Sequence, residues 1–289
     1  MNPPERKPAW LKAPLPGGEK YAAVSNILNH LQLTTVCLEA KCPNRGECWN
    51  AGTATFMVLG DVCTRGCRFC AVKTSLKGNP LDTKEPERIA EAAKKLGLSY
   101  VVLTSVTRDD LPDGGAEHFA ACVAAVKKKL PNVPVEALIP DFDENGIKKM
   151  LDAKVDVLAH NIEVIQRLTP LVRDPRFCYT KSLETLENAK KNSPNTLTKS
   201  SLMLGVGETD EEITAALRDL RAAGCDILVL TQYMQPTPSN LPVKEYVHPE
   251  KFEALRKKAC DMGFPIVVAH PLARTSYRAR ESYLSARKL

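Results

Sequence analysis

Long apolar runs are missing from this 289-residue chain. Nowhere do about 18 consecutive apolar residues occur, so a membrane-spanning helix is not expected. The opening residues, MNPPERKPAW, lack both the apolar middle of a signal peptide and the acid-poor amphipathic look of a transit peptide, which points to a cytoplasmic, reducing compartment. Charge of one sign is scarce as well. The net charge is only +6, with Lys and Arg dispersed among acidic residues. Lys127, Lys128 and Lys129, and likewise Lys257 and Lys258, fall at the ends of helical patterns, where cations suit the helix dipole. No nucleic-acid partner is therefore expected, although a mildly basic exterior suits an acidic protein substrate. There is no internal repeat, and low complexity is confined to a proline-rich start at Pro3, Pro4, Pro8, Pro14 and Pro16. Histidine is sparse too, five residues in all.

Against these shortages stand ten cysteines, six of them between residues 37 and 70. They form two triplets: Cys37, Cys42 and Cys48 with x4 and x5 spacings, and Cys63, Cys67 and Cys70 with x3 and x2 spacings. Thiolates select zinc or iron–sulfur centres. Zinc modules usually pair Cys-x-x-Cys units that sum to four ligands, often completed by histidine. Here the spacings differ, and the nearest histidines are His30 and His118. Disulfide frameworks belong mostly to small secreted chains. Three thiolates on one tight loop instead suit a [4Fe–4S] cube, whose fourth iron is left for a substrate, a cofactor or a distant ligand. Zinc and disulfide stay open as alternatives on the spacing alone. Gly66 suits a loop that wraps closely round such a cube.

Residues 1–52 read as an extension: the proline-rich start, a short helix around 20–31, and the first triplet. Beyond them strand and helix patterns alternate. A strand at 53–59 feeds the second triplet, and further strands are expected at 100–106, 134–139, 155–159, 197–204, 227–232 and 264–269. A helix at 85–96 carries Ile89, Ala92, Ala93 and Leu96 on one face, and one at 116–130 carries Phe119, Val123 and Val126 in register. Another opens on a capping box, Thr209 to Glu212, and runs Ile213, Ala216, Leu217 and Leu220 down one face. A last helix is expected at about 249–262. Six strands each followed by a helix imply a parallel sheet with crossovers. The expected fold class is α/β, a partial (β/α)6 TIM-like barrel with an N-terminal cysteine-rich extension (1–52), a core barrel (53–262) and a short C-terminal extension (263–289). Reactive groups of such barrels sit at the C-terminal ends of the strands, where the second triplet falls.

Cys-x3-Cys-x2-Cys with Phe69 just before the last cysteine resembles the signature of the radical S-adenosylmethionine (SAM) enzymes. In that family the open iron is chelated by the amino and carboxylate groups of SAM. The likeness narrows further. GDVCTRGCRFC (60–70), TSVTRDDLPDGG (104–115), LMLGVGET (202–209), QYMQP (232–236) and RTSY (274–277), with the pairing of the two triplets, resemble the lipoyl synthase family from residue 10 almost to the end.

That resemblance implies a transferase of lipoate biosynthesis, which inserts two sulfur atoms at C6 and C8 of an octanoyl chain already linked to a lysine of a carrier domain. Those carbons are unactivated, so a radical is needed. The implied cofactors are two [4Fe–4S] clusters and SAM; one electron through the cluster on Cys63, Cys67 and Cys70 cleaves SAM to methionine and a 5′-deoxyadenosyl radical. Cys37, Cys42 and Cys48 are implied to hold an auxiliary cluster that supplies the sulfur, its fourth iron taken by a serine of an Arg-Ser-Ser-Tyr motif. This chain reads Arg274-Thr275-Ser276-Tyr277, so by position the ligand is Ser276. For SAM itself the family implies Phe69 near the adenine, Thr104 and Ser105 on the methionine portion, Asn161 and Glu163 on the ribose, and Arg173 on the carboxylate. For each polar member an ordinary strand-end or cap hydrogen bond is the competing role. Residues 159–164 (AHNIEV) and Thr169 depart from the family pattern. The implied partners are octanoylated lipoyl carrier domains (2-oxoacid dehydrogenase E2 subunits and the glycine cleavage H protein), a flavodoxin or ferredoxin as electron donor, and an iron–sulfur repair protein.

Of the remaining cysteines, Cys122 and Cys260 fall in helical patterns and are expected as core hydrophobes. Cys178 has no assigned role, and neither do His160 and His270 near strand ends. Two rival functions remain at this stage. Biotin synthase-like sulfur insertion shares the SAM triplet but lacks the x4–x5 triplet, and a two-cluster electron carrier or scaffold needs neither a six-strand barrel nor a SAM site.

Overall fold

The structure, a computed structural model, describes residues 7–13, 15–51 and 53–288. Pro3, Pro4 and Pro14 of the proline-rich start, and the outermost bounds 1, 52 and 289 of the expected partition, lie outside the described residues. Seven strands form one parallel sheet in the order β1 (Thr55–Val58), β4 (Val101–Ser105), β5 (Val135–Leu138), β6 (Val157–Ala159), β7 (Leu197–Leu204), β8 (Ile227–Gln232) and β9 (Ile266–Ala269). A second sheet of two short strands, β2 (Val62–Cys63) and β3 (Lys73–Thr74), brackets the second triplet. In the N-terminal segment are α1 (Glu19–His30), α2 (Val36–Glu39) and α3 (Arg45–Asn50). The crossovers carry α4 (Glu85–Lys95), α5 (Ala116–Lys129), α6 (Glu144–Asp152), α7 (Thr169–Val172), α8 (Tyr179–Asn192), α9 (Asp210–Ala222) and α10 (Pro249–Asp261), and α11 (Ala279–Ala286) closes the chain.

Side chains alternate along each strand, and the two sets go to different layers. On β4, Val101 and Leu103 join the outer core with α4, α5 and α6, whereas Val102, with Tyr100 just before the strand, packs on Ala279 and Tyr283 of α11. On β8, Leu228 and Leu230 face the outer core around α9 and α10, whereas Ile227 and Val229 share a cluster with Tyr283 and Ala286. One helix therefore touches strands four places apart, which requires the sheet to curve round it. Because Tyr100 and Ile227 are at strand beginnings, α11 fills that end and leaves the space above it open at the C-terminal ends. Between helix and opening lies a buried polar knot: Lys199 Nζ donates to Glu136 at 2.8 and 3.0 Å, and the Tyr100 hydroxyl donates to Glu136 at 2.8 Å.

The helix faces expected from periodicity are buried, except that Leu96 falls at the C-cap of α4 and is only partly buried against the core. Ile89, Ala92 and Ala93 on α4, Phe119, Val123 and Val126 on α5, and Ile213, Ala216, Leu217 and Leu220 on α9 are all core residues. The Thr209–Glu212 capping box forms in both directions and satisfies two of the free N–H groups that open α9. Cys122 is a core residue, but Cys260 is not: α10 buries Phe252, Leu255 and Ala259, and one step of helical rotation puts Cys260 on the exposed side beside Arg256. Among the described residues no helix is long and apolar enough to cross a membrane.

Candidate active site

β1 ends in a sharp turn. Leu59 and Gly60 both adopt left-handed φ (69° and 89°), and the Glu85 carboxylate accepts the Leu59 N–H at 3.0 Å. This turn, rather than Gly66, takes the unusual backbone angle; Gly66 has no left-handed φ, and a Cβ there would meet only Asp174 Oδ2 at 4.0 Å. What the loop apex needs is an acceptor: the Gly66 N–H donates to that same oxygen at 2.8 Å.

The loop is clamped by charge. Arg65, inside the triplet, bonds Asp109 through Nε (3.0 Å) and Nη2 (2.9 Å) and Asp141 through Nη1 (2.8 Å). Arg176 holds Asp174 at 2.8 and 3.0 Å and also donates to the Thr64 carbonyl and to Asp109. Arg65 and Arg173 both stack on the Phe177 ring, 4.2 and 3.8 Å from its centroid. The Arg176 guanidinium holds the Asp174 carboxyl far below the usual range. Burial pulls the other way at Asp141, but His160 and Arg65 together hold it down to about 2. His160 is buried, with Nδ1 on the Ile139 carbonyl (3.0 Å) and Nε2 facing Asp141 at 3.3 Å.

Backbone amides point at the sulfurs. Cys63 Sγ accepts N–H from Arg65 (3.4 Å) and Thr107 (3.3 Å), and Cys67 Sγ accepts it from Asp174 (3.3 Å). Such bonds tune a cluster held by thiolates. Burial pushes the Cys67 thiol up to about 12, against the Asp174 N–H and Arg173, and pushes Cys70 to about 11. Thiols in this setting resist deprotonation on their own, and a metal that binds the thiolate directly supplies the compensating charge.

Cys63, Cys67 and Cys70 open on a cavity of about 600 Å³, which also receives Cys37, Cys42 and Ser276. Phe69, Thr104, Ser105, Asn161, Glu163 and Arg173 line it too. Within this wall Ser105 Oγ, Asn161 Oδ1 and Arg173 Nε are buried without a hydrogen-bond partner among the described residues. Buried polar atoms are rarely left so, and these fit a ligand bearing amino, carboxylate and hydroxyl groups. Thr104 is partly spent, since its hydroxyl donates to the Leu138 carbonyl at 3.3 Å. Glu163 holds a left-handed φ of 64°, fixed by backbone bonds to Ser201 and Met203. Desolvation pushes its carboxyl up, while Arg173, Asn161 and His160 pull it back. A strained non-glycine residue facing a cavity is a common mark of a functional wall.

The first triplet sits on different supports. Thr35 caps α2, which carries Cys37, Cys42 follows it, and α3 carries Cys48. The Thr34 carbonyl accepts the Met57 N–H at 2.9 Å, which ties the segment to β1. Burial raises the Cys37 thiol, and burial with neighbouring Cys42 and Cys37 lifts Cys48 to about 12. Cys48 is partly buried, packed against the core, and is not in the cavity lining. The other end of the chain closes over this segment: Asn44 Nδ2 donates to the Leu272 carbonyl at 2.6 Å, and the Tyr277 hydroxyl donates to Glu47 at 2.8 Å. Ser276 reaches the cavity from that strap, and Arg274 beside it lies in Coulombic reach of Cys42.

Sequence spacing did not reveal the clamp of Asp109, Asp141, Asp174, Arg176 and Phe177. The available signal was Arg65 inside a tight cysteine loop, a cation that demands carboxylates from elsewhere. Cys178, at the exposed N-cap of α8, lies outside the cavity lining, and its thiol is lowered by a hydrogen bond to Thr180 and by backbone N–H groups.

A curved parallel β/α sheet whose first strand runs into a clamped three-thiol loop, facing a wall of unpaired polar atoms, has the form of a radical SAM enzyme. The model of the Radical SAM superfamily matches residues 57–220, and that of the N-terminal domain of lipoyl synthase of the Radical_SAM family matches residues 2–42. Lipoyl synthase of Thermus thermophilus is 56% identical over 285 residues, covering 97% of this chain and 87% of its own, and that of Methanocella arvoryzae is 52% identical, covering 98% and 97%. The FeFe-hydrogenase maturase of Carboxydothermus hydrogenoformans (TM-score 0.60, 12% identity, 80% of this chain and 56% of that one) and methylornithine synthase (TM-score 0.57, 17% identity, 70% and 61%) share the fold. The chain belongs to the lipoyl synthase family. It is a radical SAM sulfurtransferase, and its cofactors are SAM and [4Fe–4S] clusters.

Proposed function

We propose that this chain inserts sulfur at C6 and C8 of an octanoyl chain borne on a lysine of a carrier domain. The observation that carries the reading is that thiols of both triplets and Ser276 open on one cavity of about 600 Å³. When bound, the reduced cluster and SAM supply one-electron cleavage able to abstract hydrogen from unactivated carbon, and the second cluster supplies sulfur. Cys63, Cys67 and Cys70 are assigned to the first and Cys37, Cys42, Cys48 and Ser276 to the second.

The chain's own contribution is to bind, orient and exclude. Ser105, Asn161 and Arg173 offer their unpaired atoms to SAM, with Glu163 and Thr104 beside them and Phe69 as the apolar face. The Arg65 and Arg176 clamps hold the thiol loop in register with that wall. The knot of Glu136, Lys199 and Tyr100, with α11 beneath it, closes the floor against water. Residues 1–52 serve as the extension for the second cluster, 53–262 as the core barrel and 263–289 as the segment that brings Ser276. The carrier is an octanoylated E2 subunit or glycine cleavage H protein, electrons come from a flavodoxin or ferredoxin, and an iron–sulfur repair protein restores the consumed cluster; the setting is the cytoplasm.

The test is isotopic. With the clusters labelled in sulfur and unlabelled sulfide in solution, the lipoyl product should carry cluster label and stop at about one product per chain. Product carrying only unlabelled sulfur would overturn the sacrificial role. In the same assay Ser276→Ala should impair lipoyl formation more than Thr275→Ala.

A further inference from the structure

Asn161 stands two residues beyond β6, and its amide nitrogen donates two hydrogen bonds, to Glu163 Oε1 at 3.0 Å and to Thr275 Oγ1 at 3.1 Å. A carboxylate only accepts, so the amide's orientation is decided by Glu163. Both N–H groups are therefore spent on the protein, and Oδ1 is the atom left buried and unpaired in the cavity wall. Thr275 in turn is the chain neighbour of Ser276, on a strap tied to the segment carrying the first triplet by Asn44 to Leu272, Tyr277 to Glu47 and Arg278 to Glu47, and to β8 by the His270 N–H on the Leu230 carbonyl. Among the described residues, Asn161 is the residue of the Ser105, Asn161 and Arg173 wall that hydrogen-bonds this strap.

We propose that Thr275 is a positioning residue that couples the SAM wall to the seat of Ser276. This rests on the reading that SAM occupies the wall at Ser105, Asn161 and Arg173. A ligand donating to Asn161 Oδ1 polarises the amide and strengthens the bonds its N–H groups already make, one of which ends on Thr275. It also immobilises Asn161, so the strap no longer bears that ordering cost. The coupling is reciprocal: whatever SAM binding does to seat the strap, a seated strap does for SAM affinity. The exchange of serine for threonine at 275 leaves this role intact, because the acceptor oxygen is retained and the branched side chain is stiffer at χ1.

Thr275→Val removes the acceptor and keeps the shape, whereas Thr275→Ser keeps the acceptor. In the anaerobically reconstituted full chain, two quantities are measured: SAM affinity by equilibrium dialysis, and amide exchange of residues 270–278 with and without SAM. For the wild type and Thr275→Ser, SAM should slow exchange across 270–278. For Thr275→Val, SAM affinity should fall about threefold to tenfold, the worth of one hydrogen bond, and SAM should no longer protect the strap, with iron content unchanged at about eight per chain. Should the valine variant lose iron, Thr275→Ala gives the same comparison without a methyl group in the place of the hydroxyl. Wild-type affinity together with retained SAM-dependent protection in the acceptor-less variant overturns the coupling. Cys67→Ala separates this from the underlying reading: if it still binds SAM as the wild type does, the assignment of the SAM site fails, whereas loss of SAM there with wild-type behaviour at Thr275→Val refutes the coupling alone.

Discussion

The two cysteine segments face one cavity and are held by opposite means. Residues 60–70 hang from ionic and amide bonds: Arg65 on two aspartates, Asp174 on the Gly66 N–H, and three N–H groups on the Cys63 and Cys67 sulfurs. Residues 36–50 rest on apolar packing, with Trp49 1% exposed and its ring 4.8 Å from that of Tyr21, and on a few bonds to the far end of the chain. Directional bonds from several elements fix position closely, which on the proposed function suits a centre that must keep one geometry toward SAM. Packing against a core with a peripheral strap gives adhesion with fewer directional constraints. On the proposed function the second centre is dismantled and rebuilt, and the looser support agrees with that demand.

Substitutions can break this contrast. The largest expected effect is chemical: Cys67→Ala should take SAM cleavage to background while the first-triplet cluster survives, and Cys42→Ala should keep SAM cleavage while lipoyl formation disappears. Quantifying 5′-deoxyadenosine and lipoyl product side by side checks the pair, and the same loss pattern from both variants would erase the distinction between the segments. Next, Trp49→Ala should destabilise the fold by about 3–5 kcal/mol, the ordinary cost of removing a buried large aromatic, with the Cys37 cluster lost first on denaturant titration.

Asp141→Asn should cost about 3 kcal/mol, because it strips a buried partner from Arg65 and His160. Here the expected damage is to the Cys63 cluster, and the order of cluster loss in the two variants should be reversed. The same residue predicts an acid limit. With its folded value at about 2 and an unfolded one near 3.9, Asp141 contributes its stability above about pH 4 and loses it as the pH falls toward 2. An unfolding midpoint measured from pH 5 to pH 8 should thus show no step from this group. The smallest effect is Tyr277→Phe, which removes the hydroxyl bond to Glu47 at the cost of about 1 kcal/mol; amide exchange should quicken over 270–278 and 44–50 and stay unchanged over 60–70.

Much of this molecule can be read along the chain. Thiol spacing marks a site because thiols on one loop are already neighbours, the family motifs narrow its chemistry, and alternating or helical periodicity names the burying face because each element has one repeat. The capping box at Thr209 is visible for the same reason: its partners are three residues apart. Cys260 shows where such reading stops, since its pattern places it one position from the buried stripe and only packing decides which side of the boundary it takes. Gly66 shows it again, because the left-handed turn the loop requires falls at Leu59 and Gly60, where the strand ends.

What the chain determines by itself is therefore whatever is carried by residues close in sequence: two sets of three closely spaced thiols, the strands and helices, and the order that makes a parallel sheet. Only the tertiary structure decided that Cys37 and Cys42 share a cavity with the second triplet, that α11 fills the sheet's beginning, that Asp141 and Asp174 hold the thiol loop, and that Thr275 meets Asn161. Each of those contacts joins residues tens to hundreds of positions apart. Closing such distances costs chain entropy that no local pattern records, and it is repaid only when the whole core packs.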